Sequence, residues 1–237
     1  MPVPESPASQ TLSRGIRILE VLADASEPLT IDEVAARLEV HRSVAYRLVR
    51  TLEDHGLVSR DASGRLTLGA RLAALAAGVA HDLQAEALPE LTAVANELGM
   101  TCFLAVLDHD QCVTLASVEP RHAVASVVQR PGARHPITVG APSKAILSTL
   151  APDHWPVPLP LPAALVDQVT AAAERGYAIS ADEVIPTVRS VAVPLRLRAP
   201  ARPAAIAVVH VGGQADPATI AQRLQRSADA IREALDG

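Results

Sequence analysis

The chain has 237 residues, room for one or two domains, and its 49% apolar and 20% charged residues suffice for packed cores, which excludes wholesale disorder. Aromatics are only 2%, so the cores must be built from Ala, Val, Leu and Ile, and little surface is available to stack unpaired bases. The net charge of −5 does not itself suggest a nucleic-acid partner, but residues 42–71 hold six Arg against Glu53, Asp54 and Asp61, a balance of +3 that leaves −8 for the rest. A small basic segment on an acidic body fits a protein that touches phosphates with one part only.

The start, MPVPESPASQ, has neither basic residues nor an apolar run and reads as a disordered tail over 1–10 rather than a signal peptide. From Thr11 to Ala25, Leu12, Ile16, Ile18, Leu19, Val21, Leu22 and Ala23 make one broad helical face, ended by Pro28. Thr30 and Glu33 form a capping box that opens a second helix, Ile31 to Leu38. A third helix runs from Arg42 to His55. Val44, Ala45, Leu48, Val49 and Leu52 lie on one side, Arg42, Ser43, Tyr46, Arg47 and Arg50 on the other, and Gly56 caps the end. Leu57–Arg60 and Arg65–Leu68 read as a hairpin turned by Asp61-Ala62-Ser63-Gly64.

Residues 70–98 are helical and Ala-rich, with a break expected near Pro89; the first part, 70–85, serves as a linker helix. Beyond it the pattern mixes strands and helices. Strands are expected at Thr101–Leu107, Cys112–Val118, Ala123–Gln129, Val188–Leu195 and Ala204–Val211. Helices are expected at Ala141–Leu150, Pro162–Arg175 and from Asp216-Pro217 to about Leu235. No run of about 18 apolar residues signals a membrane span.

Helix, helix, turn, helix and hairpin within residues 11–69 is the winged helix-turn-helix order. A helix fits the major groove, where each base pair shows its own donor and acceptor pattern. It must keep an apolar side on its domain and offer polar groups outward. The Arg42/Ser43/Tyr46/Arg47/Arg50 face meets that need. Arg pairs bidentately with guanine edges or phosphate, Ser43 donates to a phosphate oxygen near a helix start, and Arg65 sits where a wing meets the backbone or the minor groove. Tyr46 either contacts DNA or packs on the wing.

The whole stretch TLSRGIRILEVLADASEPLTIDEVAARLEVHRSVAYRLVRTLEDHGLVSRDASGRLTLG (Thr11–Gly69) resembles the N-terminal domain of the IclR family of transcriptional regulators. APSKAILSTL (Ala141–Leu150) resembles the family's segment around Gly-Lys-Ala. ERGYAISADEV (Glu174–Val184), RSVAVPL (Arg189–Leu195) and the IAVVHVGG strand (Ile206–Gly213) resemble its C-terminal signatures. The resemblance implies an α/β multidomain fold: a mainly α winged helix-turn-helix, a linker helix, and a GAF-like α/β effector domain with an antiparallel sheet over 86–237. It implies a cytoplasmic homodimer or homotetramer on double-stranded, palindromic or near-palindromic operator DNA. A small organic effector, an apolar or aromatic acid among the expected classes, would bind in the C-terminal domain. The family represses and activates; repression is the expected sign. By motif matching, effector contacts fall on Val127, Ala141, Pro142, Asp182, Ser190, Val209 and Val211. Three departures stand out: Glu39 where the turn usually has Gly, Ser143 in place of the Gly before Lys-Ala, and Val209 and Val211 where some members present hydroxyls. A more apolar pocket or another ligand class follows from the last.

Other residues carry weaker signals. Ser143-Lys144 is no catalytic pair, because adjacent helical residues do not face each other and no second base is visible. Lys144 is either structural or holds an anion. Asp108-His109-Asp110 is turn chemistry rather than a metal site. Arg121-His122 and Arg134-His135 read as loop charges with a pocket role left open. Gly212-Gly213 is not a phosphate loop. Trp155, in a Pro-rich loop, is a plug or a lid. Cys112 should oppose Leu107, not Cys102, which argues against a disulfide, and no C-x-x-C or His/Cys cluster implies a cofactor or metal. Two further readings compete: an enzyme or ligand-binding module with a vestigial winged helix, and a protein–protein adaptor. The first lacks a nucleophile–base pair, and the second has no need of three Arg on helix three.

Overall fold

The structure is a computed structural model and describes residues 9–76, 80–122, 127–198, 201–212 and 216–236. It divides into two compact units, Met1–Val79 and Ala80–Gly237. Of the tail expected over 1–10, residues 1–8 lie outside the described residues, and helix α1 (Gln10–Asp24) already begins at its last residue. Ser9 supplies the reason: its hydroxyl caps the helix by accepting from the Leu12 N–H at 3.3 Å.

In the first unit α1 is followed by α2 (Ile31–Arg37), α3 (Arg42–Asp54) and a hairpin of β1 (Val58–Arg60) and β2 (Leu66–Leu68). The Thr30/Glu33 capping box forms as expected, the Glu33 carboxylate accepting from the Thr30 N–H at 2.7 Å. Between α2 and α3, Glu39 takes φ +55°. The turn therefore keeps the left-handed geometry that favours glycine, at a cost of about 1–2 kcal/mol for a side chain there. Ile18, Leu22, Val34, Ala45, Val49, Val58 and Leu66 form the core of this unit. Those on the helices are apolar positions that the helical periodicity selects, and Val58 and Leu66 come from the hairpin strands.

The segment expected to be one linker helix over 70–85 contains α4 (Arg71–Ala76), then residues 77–79 outside the described set, then Ala80 at φ +47°. A left-handed residue cannot lie inside a right-handed helix, so α5 (His81–Leu98) starts anew after it. That helix passes through Pro89 without the expected break.

The second unit is built on a six-stranded antiparallel sheet of order β5-β4-β3-β8-β7-β6. Its strands are β3 (Thr101–Asp108), β4 (Gln111–Val118), β5 (Arg134–Pro136), β6 (Ala178–Ala181), β7 (Val188–Leu195) and β8 (Ala204–Val211). Alternation along the strands sends side chains to two cores. Cys102, Leu104, Val106, Ile206 and Val208 meet α5 and α8 (Pro217–Asp236) on one face. Phe103, Ala105, Ala205, Ala207 and Val209 meet α6 (Ala141–Leu147) and α7 (Ala163–Arg175) on the other. The second face is lined by small residues, which lets α6 lie close to the sheet. Cys112 pairs with Leu107 and Cys102 with Val118, as the turn position required, and both cysteines are free.

Two short strands, β5 and β6, were not expected. The strand expected at Ala123–Gln129 has residues 123–126 outside the described set, and 127–129 carry no strand. No helix among the described residues is long and apolar enough to cross a membrane.

Candidate functional site

The polar face of α3 projects from the first unit. Its apolar face is locked down: Ala45 and Val49 are fully buried. Arg47 and Arg50 are exposed and make no ion pair among the described residues. Tyr46 is 49% exposed and lies near Arg60 of β1, so it is half open to solvent beside the wing. Arg42 is exposed but held, its Nε 3.1 Å from Asp32 of α2. His41, which the sequence reading passed over, caps α3: its Nδ1 accepts from the Ser43 N–H at 3.2 Å and lies 2.8 Å from the Ser43 hydroxyl. Histidine is an unusual cap, so composition gave no signal for it.

The hairpin is held to this face. Arg60 grips Glu53 of α3 with Nε at 2.9 Å and a second guanidinium nitrogen at 3.3 Å, and this pairing raises the Arg60 pKa. The turn is shaped by Asp61, whose Oδ1 accepts from the Ser63 and Arg65 N–H groups, and by Gly64 at φ +83°. The Ser63 hydroxyl, which donates to the same oxygen at 2.7 Å, and then these N–H groups hold the Asp61 carboxyl below its usual range. Arg65 is exposed beside the tip, but one guanidinium N–H donates to the Pro28 carbonyl at 2.8 Å. It therefore pins the wing as well as facing outward.

In the second unit, Ala141, Pro142, Ser190 and Val209 come together around a cavity of about 40 Å³ between α6 and the sheet. Phe103, Gln129, His135 and the loop residues Glu183, Val184 and Ile185 complete its wall. The other three expected contacts lie elsewhere. Val127 is half-buried against the α6/α7 core, and Val211 is 56% exposed near the end of β8. Asp182 is exposed: at φ +61° its carboxylate accepts from the Thr187 N–H at 2.6 Å and braces the β6–β7 loop.

The carboxylate in the cavity wall is its neighbour, Glu183. One oxygen accepts from the Gly140 N–H at 2.8 Å, and the other pairs with the Lys144 ammonium. Lys144 is 2% exposed while the Glu183 side chain is 26% exposed, so a buried ammonium is neutralised by a carboxylate that still meets solvent. The next N–H of the helix start, that of Ala141, donates to the Ser180 hydroxyl at 3.0 Å. Ser190 donates across the sheet to the Val208 carbonyl at 2.9 Å. His135 Nε2 lies 3.2 Å from the Ser143 hydroxyl, and desolvation lowers its pKa, opposed by a hydrogen bond with the Val139 backbone. Ser143 is also bonded to Cys112, whose thiol burial pushes up to about 12. Such a thiol is no nucleophile at neutral pH.

Gly140 is required here. It has φ +86°, and a Cβ would fall 3.0 Å from His135 Nε2 and 3.1 Å from Val184. A wider cleft of about 560 Å³ shares Ser180, Glu183 and Ser190 with the small cavity and extends along β6 and α7. Trp155 is buried in the α6/α7 core, its indole N–H on the Leu150 carbonyl, and does not border the cavity. No metal-binding group of three or more His, Cys, Asp or Glu occurs among the described residues.

Residues 11–62 match the family model described as the IclR helix-turn-helix domain, and residues 76–234 match that of the bacterial transcriptional regulator IclR C-terminal domain. The chain is 32% identical to the HTH-type transcriptional regulator Rv1719 of Mycobacterium tuberculosis, over 64% of this chain and 58% of that one. It is 31% identical to the glycerol operon regulatory protein of Streptomyces griseus, over 86% of this chain and 84% of the other. Its structure superposes with a TM-score of 0.80 on an IclR homologue from Microbacterium hydrocarbonoxydans complexed with 4-hydroxybenzoate, at 25% identity, covering 96% of this chain and 99% of that one. With its winged helix-turn-helix and curled antiparallel sheet both accounted for, this chain belongs to the IclR family of helix-turn-helix transcriptional regulators.

Proposed function

We propose that the first unit reads double-stranded operator DNA through Arg42, Ser43, Tyr46, Arg47 and Arg50 of α3, with Arg65 on the wing, and that the second unit binds a small organic effector between α6, β8 and the β6–β7 loop. The observation that carries the reading is the α3 face: Arg47 and Arg50 stand exposed, without ion-pair partners among the described residues, on a helix whose other side is fixed in a core. Major-groove recognition asks for that arrangement. Two copies, as a dimer or within a tetramer, would present two such helices to half-sites about one turn (~34 Å) apart. The effector acts by population shift, binding one arrangement of the copies more tightly and so changing how well both helices fit; equal affinity for both would produce no response. The similarity to a homologue held with 4-hydroxybenzoate supports a ligand of that size in the second unit. The cavity of about 40 Å³ is far below the roughly 300–1,000 Å³ of ligand pockets, whereas the adjoining cleft of about 560 Å³, which shares Ser180, Glu183 and Ser190 with it, falls within that range.

The test is titration of the full chain with its own upstream intergenic DNA, at two salt concentrations and with non-specific competitor. Tight, competitor-resistant and salt-dependent binding is expected. Weak binding, equal on any DNA whether or not candidate effectors are present, would refute the reading.

A further inference from the structure

Resting on that reading of the first unit, we infer that His41 sets the polarity of the Ser43 hydroxyl. Ser43 then accepts from a base amino group and selects adenine or cytosine at one position of the half-site. Ser43 is the second residue of α3, and Tyr46, Arg47 and Arg50 follow it on the same exposed face. Recognition helices bring such early residues to base edges. The Ser43 N–H donates to His41 Nδ1 at 3.2 Å, which requires an Nδ1 without a proton. In the neutral ring the proton is then on Nε2. The Ser43 Oγ lies 2.8 Å from that same Nδ1. At this distance two lone pairs would repel, so the hydroxyl proton lies between them and Ser43 is the donor. With that proton committed, Ser43 offers only lone pairs outward. The groups of DNA divide by the same rule. Phosphate oxygens, guanine O6 and N7 and thymine O4 accept, whereas adenine N6 and cytosine N4 donate. A hydroxyl free to rotate pairs with either set, and one held by His41 pairs only with the second. The donation to a phosphate expected of Ser43 is closed to it in this state. Arg42 and Arg47, which share a surface hollow with His41, Ser43 and Tyr46, can only donate, so Ser43 supplies an acceptor between them.

The experiment measures binding of the full chain to its upstream intergenic operator and to the set of single base-pair substitutions of it. Wild type is compared with Ser43→Ala, His41→Ala and His41→Asn, all changes at exposed positions. Wild type should prefer A or C over G or T on one strand at one half-site position, by about 2- to 10-fold, the share of one hydrogen bond. Ser43→Ala should lose that preference and no other. His41→Ala frees the hydroxyl to donate as well as accept, so G and T should become tolerated at the same position. His41→Asn keeps a side-chain oxygen at the cap and should restore the wild-type pattern. A cap that is merely structural would instead weaken binding to every sequence by one factor. A readout without DNA comes from the ¹⁵N signals of the imidazole at pH 8, identified by their loss in His41→Asn. Nδ1 should resonate as the unprotonated nitrogen and Nε2 as the protonated one. The inference falls if that tautomer is reversed, if the position lost with Ser43→Ala prefers G or T in wild type, or if His41→Ala leaves the base preferences unchanged. Each of those results leaves operator binding by wild type standing. A wild type that tells no base from another at any position would overturn the operator reading and this inference with it.

Discussion

Among single residues, Arg47 and Arg50 carry the clearest consequence. Both leave the same face of α3, exposed and without an ion pair among the described residues. Replacing either with Ala should weaken operator binding by about 1–3 kcal/mol where the side chain reads a base. Gel-shift titration against the operator and a scrambled site checks this, and unchanged affinity in both variants would remove α3 as the reader. His135 has a different consequence. Burial favours its neutral form, so its pKa in the fold lies below the unfolded value. In the window between the two the unfolded chain binds more protons, so stability rises with pH there. The second unit should therefore lose stability as pH falls from about 6.5 through the folded pKa, and His135→Asn should flatten that dependence. Melting temperature against pH for the two proteins reads it.

At the level of elements, the capping box is the most exposed to test. Thr30→Ala removes the side-chain oxygen that holds the Glu33 N–H and should lower the stability of the first unit by about 0.5–2 kcal/mol. Circular dichroism melting of the full chain would show it. Periodicity made the longer elements legible. Val188–Leu195 and Ala204–Val211 are found at their expected limits, because strands buried on both faces read as continuous apolar runs. The strands β5 and β6 were not legible: each has only three or four residues at a sheet edge, too few to show a period. The continuous linker helix failed at Ala80, since composition does not report a left-handed residue. In the pocket, the sequence brought Ala141, Pro142, Ser190 and Val209 to one place, because they lie on a helix start and two adjacent strands. It pointed to Asp182 and passed over Glu183. Loop residues carry no alternation to decide which carboxylate turns inward, and that choice was settled by Lys144, 39 positions earlier in the chain.

On the scale of the whole molecule, charge is segregated: residues 42–71 hold a balance of +3 within a chain of −5. Non-specific attraction to DNA should therefore rest on few residues. Arg42→Ala should reduce the slope of log affinity against log salt by about 1, on operator and on random DNA alike. Titration at several salt concentrations measures it, and an unchanged slope would mean that Arg42 stays with Asp32 in the complex. One feature of the first unit bears on how any signal can travel. Leu29 and Leu66 exchange both backbone hydrogen bonds, at 3.1 and 2.7 Å, while Arg65 holds Pro28 and Arg60 holds Glu53. The hairpin is thus stitched to the connection before α2 and to α3 at once. The reading head behaves as a stamp cut from one block: its wing and helix cannot be retuned against each other without breaking that stitching. If two copies bind together as proposed, an effector would alter only the distance and angle between two stamps, so it should change the preferred half-site spacing and leave the half-site sequence as it was.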